Sequence, residues 1–140
     1  PPSLRESCLL DKELEPDAWY CETAAGDGVI YQRFASLESL RSRYADIRSF
    51  EGLKRDLGSC SENPEGESSW DYDGDAVAGS GRYLCARNAD GGPYMVWSHD
   101  QTRTLMTLYG HSRASVWDQW FSSELQPDPR YPPAVGVAIP

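Results

Sequence analysis

The stretch GRYLCARNADGGPYMVWSHD, residues 81–100, decides the fold. It reads as a strand, a tight Gly-rich turn and a second strand, with Cys85 inside the first strand. Glycine reaches positive φ without steric cost, so aromatic and β-branched runs on either side of Asp-Gly predict a hairpin. Residues 19–34, WYCETAAGDGVIYQRF, repeat the plan with Cys21 in the strand and AAGDG in the turn.

The likeness extends outward. LRESC (4–8) lies over DLGSC (56–60), and AWYC (18–21) over RYLC (82–85), so each half carries a Ser-Cys followed by a strand cysteine. Each half then closes with a helix. In residues 36–47, SLESLRSRYADI, the residues Leu37, Leu40, Tyr44 and Ile47 recur at helical spacing behind a Ser36 cap. Residues 112–125, SRASVWDQWFSSEL, cluster Val116, Trp117, Trp120, Phe121 and Leu125 on one face behind Ser112. The second half adds a strand, TRTLMTLY (102–109). The expectation is an α+β domain: an antiparallel sheet of about five or six strands, built from two pseudo-repeated, disulfide-stapled hairpin-plus-helix halves (3–50 and 56–125), with both helices on one face. Residues 126–140, carrying five prolines, are expected to form an extended tail.

Four cysteines allow three pairings. If the halves are equivalent, their bridges are too, giving Cys8 to Cys21 and Cys60 to Cys85. By loop-closure entropy, such links remove about 3 and 3.5 kcal/mol of unfolded-state freedom, respectively. They persist in an oxidising compartment, which predicts an extracytoplasmic protein; four free thiols in a cytosolic protein is the alternative. No C-x-x-C occurs, and neither His99 nor His111 lies at zinc-ligand spacing from the cysteines, so no metal site is expected.

A chain of 140 residues suits one domain. A formal charge of -9 and a pI near 4.6 repel phosphate backbones and anionic lipid, and no Lys/Arg cluster stands out in the sequence; nucleic acid is excluded as a partner. No apolar run reaches the eighteen or so residues of a membrane span, and PPSLRESC has no signal-peptide pattern. The expectation is a soluble chain, either a mature secreted protein or the ectodomain of a membrane-anchored parent. Residues 61–81 hold six acids, Glu62, Glu65, Glu67, Asp71, Asp73 and Asp75, and read as a solvated surface loop with a short strand near 68–72. FEGLKRDLG (50–58) reads as a helical turn weakened by Gly52.

Catalytic patterns fail on geometry. Ser98, His99 and Asp100 are neighbours on a strand, so their side chains alternate between faces and cannot converge as a triad. DYDGD (71–75) opens like a calcium loop, but the sixth position is Ala76 and the twelfth Arg82, which excludes an EF-hand and leaves at most a weak, irregular site. Neither a nucleophile elbow nor a phosphate loop occurs. The chain is therefore read as non-enzymatic and without cofactor. PYMVW and LMTLY are apolar on both faces and need two covers. One is the helix layer; the other is Val135, Val137 and Ile139 of the tail, a second subunit, or a ligand. The candidate contact surface is the non-helical face around Tyr94, Val96 and Leu108, with the acidic loop at its rim.

In their order, LRESC, Cys21 before a Tyr31-containing strand, GSC (58–60), GRYLC, VWSHD and the Trp-rich last helix make residues 3–125 resemble a domain found in extracytoplasmic C-terminal regions of actinobacterial eukaryotic-type serine/threonine kinases and related secreted or anchored proteins. Eleven Arg against two Lys fit the GC-rich genomes of such a source. The resemblance implies a sensing or binding role outside the membrane, with any kinase activity in a region of the parent absent from this chain. The partner is then a small molecule, a cell-wall fragment or a protein, with a homodimer as a further option. A free secreted binding or inhibitor protein is the alternative, and a small secreted hydrolase a more distant one.

Overall fold

The computed structural model describes residues 7–13, 17–61, 63–71 and 80–121, so the expected tail, Leu125, Glu62 and residues 72–79 of the acidic segment lie outside the described residues. These residues form β1 (Leu9–Asp11), β2 (Ala18–Glu22), β3 (Gly28–Arg33), α1 (Leu37–Phe50), β4 (Gly66–Asp71), β5 (Ser80–Arg87), β6 (Pro93–His99), β7 (Thr104–Tyr109) and α2 (Arg113–Phe121). One antiparallel sheet joins the strands in the order β1-β2-β3-β7-β6-β5-β4. The sheet has seven strands, not five or six. The unforeseen strand is β1, three exposed residues with no apolar alternation to announce them, held beside β2 just after the Cys8–Cys21 bridge.

Both hairpins close with the same turn. Thr23 N–H donates to Asp27 O (2.8 Å) and Gly26 N–H to Thr23 O (2.9 Å); Asn88 N–H donates to Gly92 O (2.9 Å) and Gly91 N–H to Asn88 O (2.9 Å). Gly26 and Gly91 share a φ of +81°, a conformation that a Cβ makes costly. The disulfides are Cys8–Cys21 and Cys60–Cys85, each tying the segment before an edge strand to the next strand inward. Register places Cys21, Val29, Leu108, Met95 and Cys85 in one row across the sheet, so the two strand cysteines hang on the same face.

The helices do not share a face. Leu40 and Tyr44 of α1 pack on Leu84, Tyr94, Val96 and Leu105, whereas Val116 and Trp120 of α2 pack with Tyr83, Met95, Trp97, Met106 and Leu108 on the other side. This is the physical answer to strands apolar on both faces: β6 and β7 sit mid-sheet, and each face receives its own helix. Burying side chains the size of Trp97 or Leu108 contributes about 1.5–3 kcal/mol apiece.

α1 starts as its sequence predicts, with Ser36 Oγ accepting from Ser39 N–H at 3.0 Å and Ser39 Oγ returning toward Ser36 N–H. It ends in a Schellman motif: Leu53 N–H reaches Arg48 O and Gly52 N–H reaches Ser49 O, both at 3.0 Å, with Gly52 at φ +68°. Residues 51–58 consequently hold no helix of their own, because Gly52 stops α1 and does not start a new turn. α2 begins behind Ser112, whose Oγ accepts from Ser115 N–H at 3.1 Å.

Candidate binding groove

Because α1 crosses its face of the sheet as a single rod, it leaves a channel along each flank. On the β3–β7–β6 side lies a groove of about 620 Å3. Ile30, Thr107, Val96, Tyr94 and Tyr109 floor it, all directed to this face by strand alternation. Ile47, Phe50 and Arg43 of α1 form one wall, and Arg87, Asn88 and Ala89 of the β5–β6 hairpin form the other. Two aromatic rings stand in the open here: Phe50 is 88% exposed and Tyr109 is 40% exposed.

Tyr94 anchors the floor. Its ring stacks on Tyr109 with centroids 5.6 Å apart, and its hydroxyl donates to Glu51 Oε1 just past the end of α1. Burial pushes the Tyr94 hydroxyl well above the ordinary tyrosine value, and the Glu51 hydrogen bond pushes it further. Tyr109 is also raised, by burial first and then by the nearby negative charge of Glu51. Both stay protonated at neutral pH, so the groove offers neutral hydroxyls, the Asn88 and Gln32 amides, two guanidiniums and the Glu51 carboxylate, the last already engaged by Tyr94, around an apolar floor.

The predicted contact surface needs correcting. Tyr94 and Val96 do line this groove, but both are buried and their face is covered by α1. Leu108 is fully buried on the opposite face, in the row with Val29 and Met95, because one register step along β7 inverts the side-chain direction. The groove residues missed from the sequence, Ile30, Phe50, Arg87 and Tyr109, come from separate elements. Phe50 alone carried a signal, an aromatic at the end of an amphipathic helix and off its buried stripe.

Ser98, His99 and Asp100 split between faces as expected. Ser98 Oγ donates to Asp100 Oδ1 at 3.3 Å, while His99 is fully buried on the other side, its Nδ1 3.0 Å from Thr102 Oγ1 and its ring 5.6 Å from that of Trp70. The structure does bring His111 to a buried acid: its Nδ1 lies 2.5 Å from Asp27 Oδ1. Asp27 is, however, engaged by α2, with Ser115 Oγ donating to Oδ2 at 2.9 Å and Gln119 Nε2 donating to the same atom. The serine proton goes to the carboxylate and not to the imidazole, and the His111 side chain is 68% exposed, so the trio ties α2 to the β2–β3 turn and does not assemble a nucleophile.

One acid of the 61–81 segment is not solvated at all. Glu67 is fully buried; Oε1 accepts from Arg82 Nε (2.6 Å) and the Tyr44 hydroxyl (3.0 Å), and Oε2 from Arg82 Nη2 (2.7 Å) and Asp56 N–H (2.6 Å). Burial on its own would raise this carboxyl, but the Arg82 fork, the Asp56 amide and the Tyr44 hydroxyl together hold it below the ordinary value. Among the described residues no three His, Cys, Asp or Glu side chains gather as a metal site, and no helix is long and apolar enough to cross a membrane.

Compared with protein-family models, curated proteins and solved structures, the chain has no significant match. Two formed disulfides suggest an oxidising environment outside the cytoplasm.

Proposed function

We propose that this chain is a non-enzymatic extracytoplasmic binding domain, the sensing part of a membrane-anchored actinobacterial serine/threonine kinase, and that it recognises its ligand in the α1–sheet groove. The observation that carries the reading is the pair of exposed rings, Phe50 and Tyr109, beside a channel edged by Arg43, Arg87 and Asn88. Aromatic faces suit the C–H face of a sugar, while guanidinium and amide groups suit its hydroxyls and carboxylates. The ligand class is accordingly a cell-wall glycan fragment with an acidic substituent. In the parent, occupancy changes how chains associate. The shared turn geometry and equivalent bridges favour an origin of the two halves by duplication, with β7 as the addition.

The test is a titration with soluble muropeptides followed by amide NMR. Saturating shifts at Asn88, Thr107 and Tyr109 that vanish in Phe50→Ala/Tyr109→Ser support the site, and no shift at millimolar fragment rejects it. The free secreted binder remains the second reading, resting on the same stapled fold. A signal peptide directly before residue 1 in the full gene selects it; a transmembrane helix there selects the sensor.

A further inference from the structure

The other flank of α1 carries a cleft of about 560 Å3, and in a chain of charge -9 its lining includes Arg41, Arg48, Arg55 and Arg82. The basic cluster missing from the sequence is thus assembled by folding: Arg41 and Arg48 lie two turns apart on α1, Arg55 follows it, and Arg82 is on β5. We infer that this cleft is an oxyanion site that takes the phosphate group of a phosphorylated ligand.

The four guanidiniums are not equivalent. Arg82 is committed, forked on Glu67 and donating to Asp56 Oδ1 at 2.6 Å, and forms a fixed rear wall. Arg41 is paired with Asp100 at 2.9 Å, with its side chain 64% exposed. Arg55 approaches Asp56 only to 3.9 Å, beyond hydrogen-bond range, and Arg48 has no carboxylate within 4 Å among the described residues. Among the described side chains, with Glu67 and Asp56 counted in, four cations face three carboxylates, and Arg48 and Arg55 are the least engaged of the four. A guanidinium presents a planar fork of donors matched to phosphate oxygens, and two such forks converging on one cleft suit a tetrahedral anion. Ser69 adds a hydroxyl on the same face as Glu67, while the Trp70 ring packs with His99 and Trp120 on the other face and sends its indole N–H to Ser98 O at 3.0 Å, fixing the strand pair that floors the cleft. The cleft is far larger than a phosphate ion, which fits a phosphate ester.

This site lies across α1 from the groove and does not depend on it. The ester is either a soluble sugar or glycerol phosphate, or an anionic lipid headgroup, and the experiment separates them. Amide NMR titrations at constant ionic strength use inorganic phosphate and glycerol 3-phosphate, and co-sedimentation uses phosphatidylglycerol vesicles. The expected result is saturating shifts at Ser69, Gly81 and Ser98 with both soluble probes, weakened at least tenfold in Arg48→Glu/Arg55→Glu and unchanged in Arg113→Glu, which alters an exposed cation on α2. Vesicle binding lost in the same double variant identifies a headgroup; soluble binding without vesicle binding identifies a free ester. An Arg48→Gln/Arg55→Gln variant with a wild-type amide spectrum guards against misfolding. Shifts that do not saturate, or that fall equally in Arg113→Glu, overturn the inference.

Discussion

Replacing Arg82 by methionine removes both donors to Glu67 and the link to Asp56 while keeping most of the side-chain volume. Glu67 has no exposed surface and Arg82 only 20% of its side chain, so solvent cannot take over the lost contacts. Stranding one member of a buried pair costs about 3–5 kcal/mol. The upper half of that range is offset here because Tyr44 and the Asp56 amide still reach the carboxylate, so the expected loss is about 3 kcal/mol. pH supplies the internal check. In the native protein the folded Glu67 carboxyl sits below its ordinary value of 4.5, so its contribution is present above that pH and fades as pH falls through the folded value. Without Arg82, desolvation dominates and raises the carboxyl, so the variant gains relative to wild type on acidification. Urea denaturation at pH 7 and pH 3.5, with unchanged slopes, measures both effects. Replacing the whole pair, Arg82→Met with Glu67→Leu, should recover most of the loss. A single variant within about 1 kcal/mol of wild type at pH 7, or a deficit independent of pH, would refute the account of Glu67 as a buried, charge-dependent joint.

Other outcomes follow from the same structure. Cys60→Ser/Cys85→Ser should lose about 3.5 kcal/mol and Cys8→Ser/Cys21→Ser about 3 kcal/mol by urea melts under non-reducing conditions, the longer loop costing more. Gly81→Ala should destabilise by about 2 kcal/mol or more in thermal unfolding, since its Cβ would stand 2.0 Å from the Ser98 carbonyl oxygen, a backbone atom that cannot swing away. Tyr31, Tyr44, Tyr94 and Tyr109 are all raised above the ordinary 10.0, chiefly by burial. Groups with raised folded values contribute fully below pH 10 and lose that contribution above it, so stability should fall through alkaline pH, with tyrosinate absorbance appearing cooperatively at unfolding. Phe50→Ala should leave stability within about 0.5 kcal/mol, since its ring is already in water, while weakening ligand capture in the groove.

Local chemistry by itself determined the elements other than β1, which has no pattern of its own, and the end of α1, where Gly52 stops the helix. The Ser36 and Ser112 caps, the Gly-bearing hairpin turns and the strand cysteines are each decided by residues within a few positions, and the bridges followed from likeness between the halves. Opposite-face packing was not legible, although its cause was: PYMVW and LMTLY demanded two covers, but nothing in their order says which helix takes which side. Strand alternation makes that decision costly to misjudge by one residue, which is how Leu108 left the company of Tyr94 and Val96. Glu67 and Arg82 illustrate the same limit. In sequence one is an acid among acids and the other an isolated base; only the antiparallel register of β4 and β5 beneath α1 brings them to 2.6 Å. The basic cleft likewise exists only in three dimensions, because charges on a helix, a loop and a strand sum their fields across space and not along the chain.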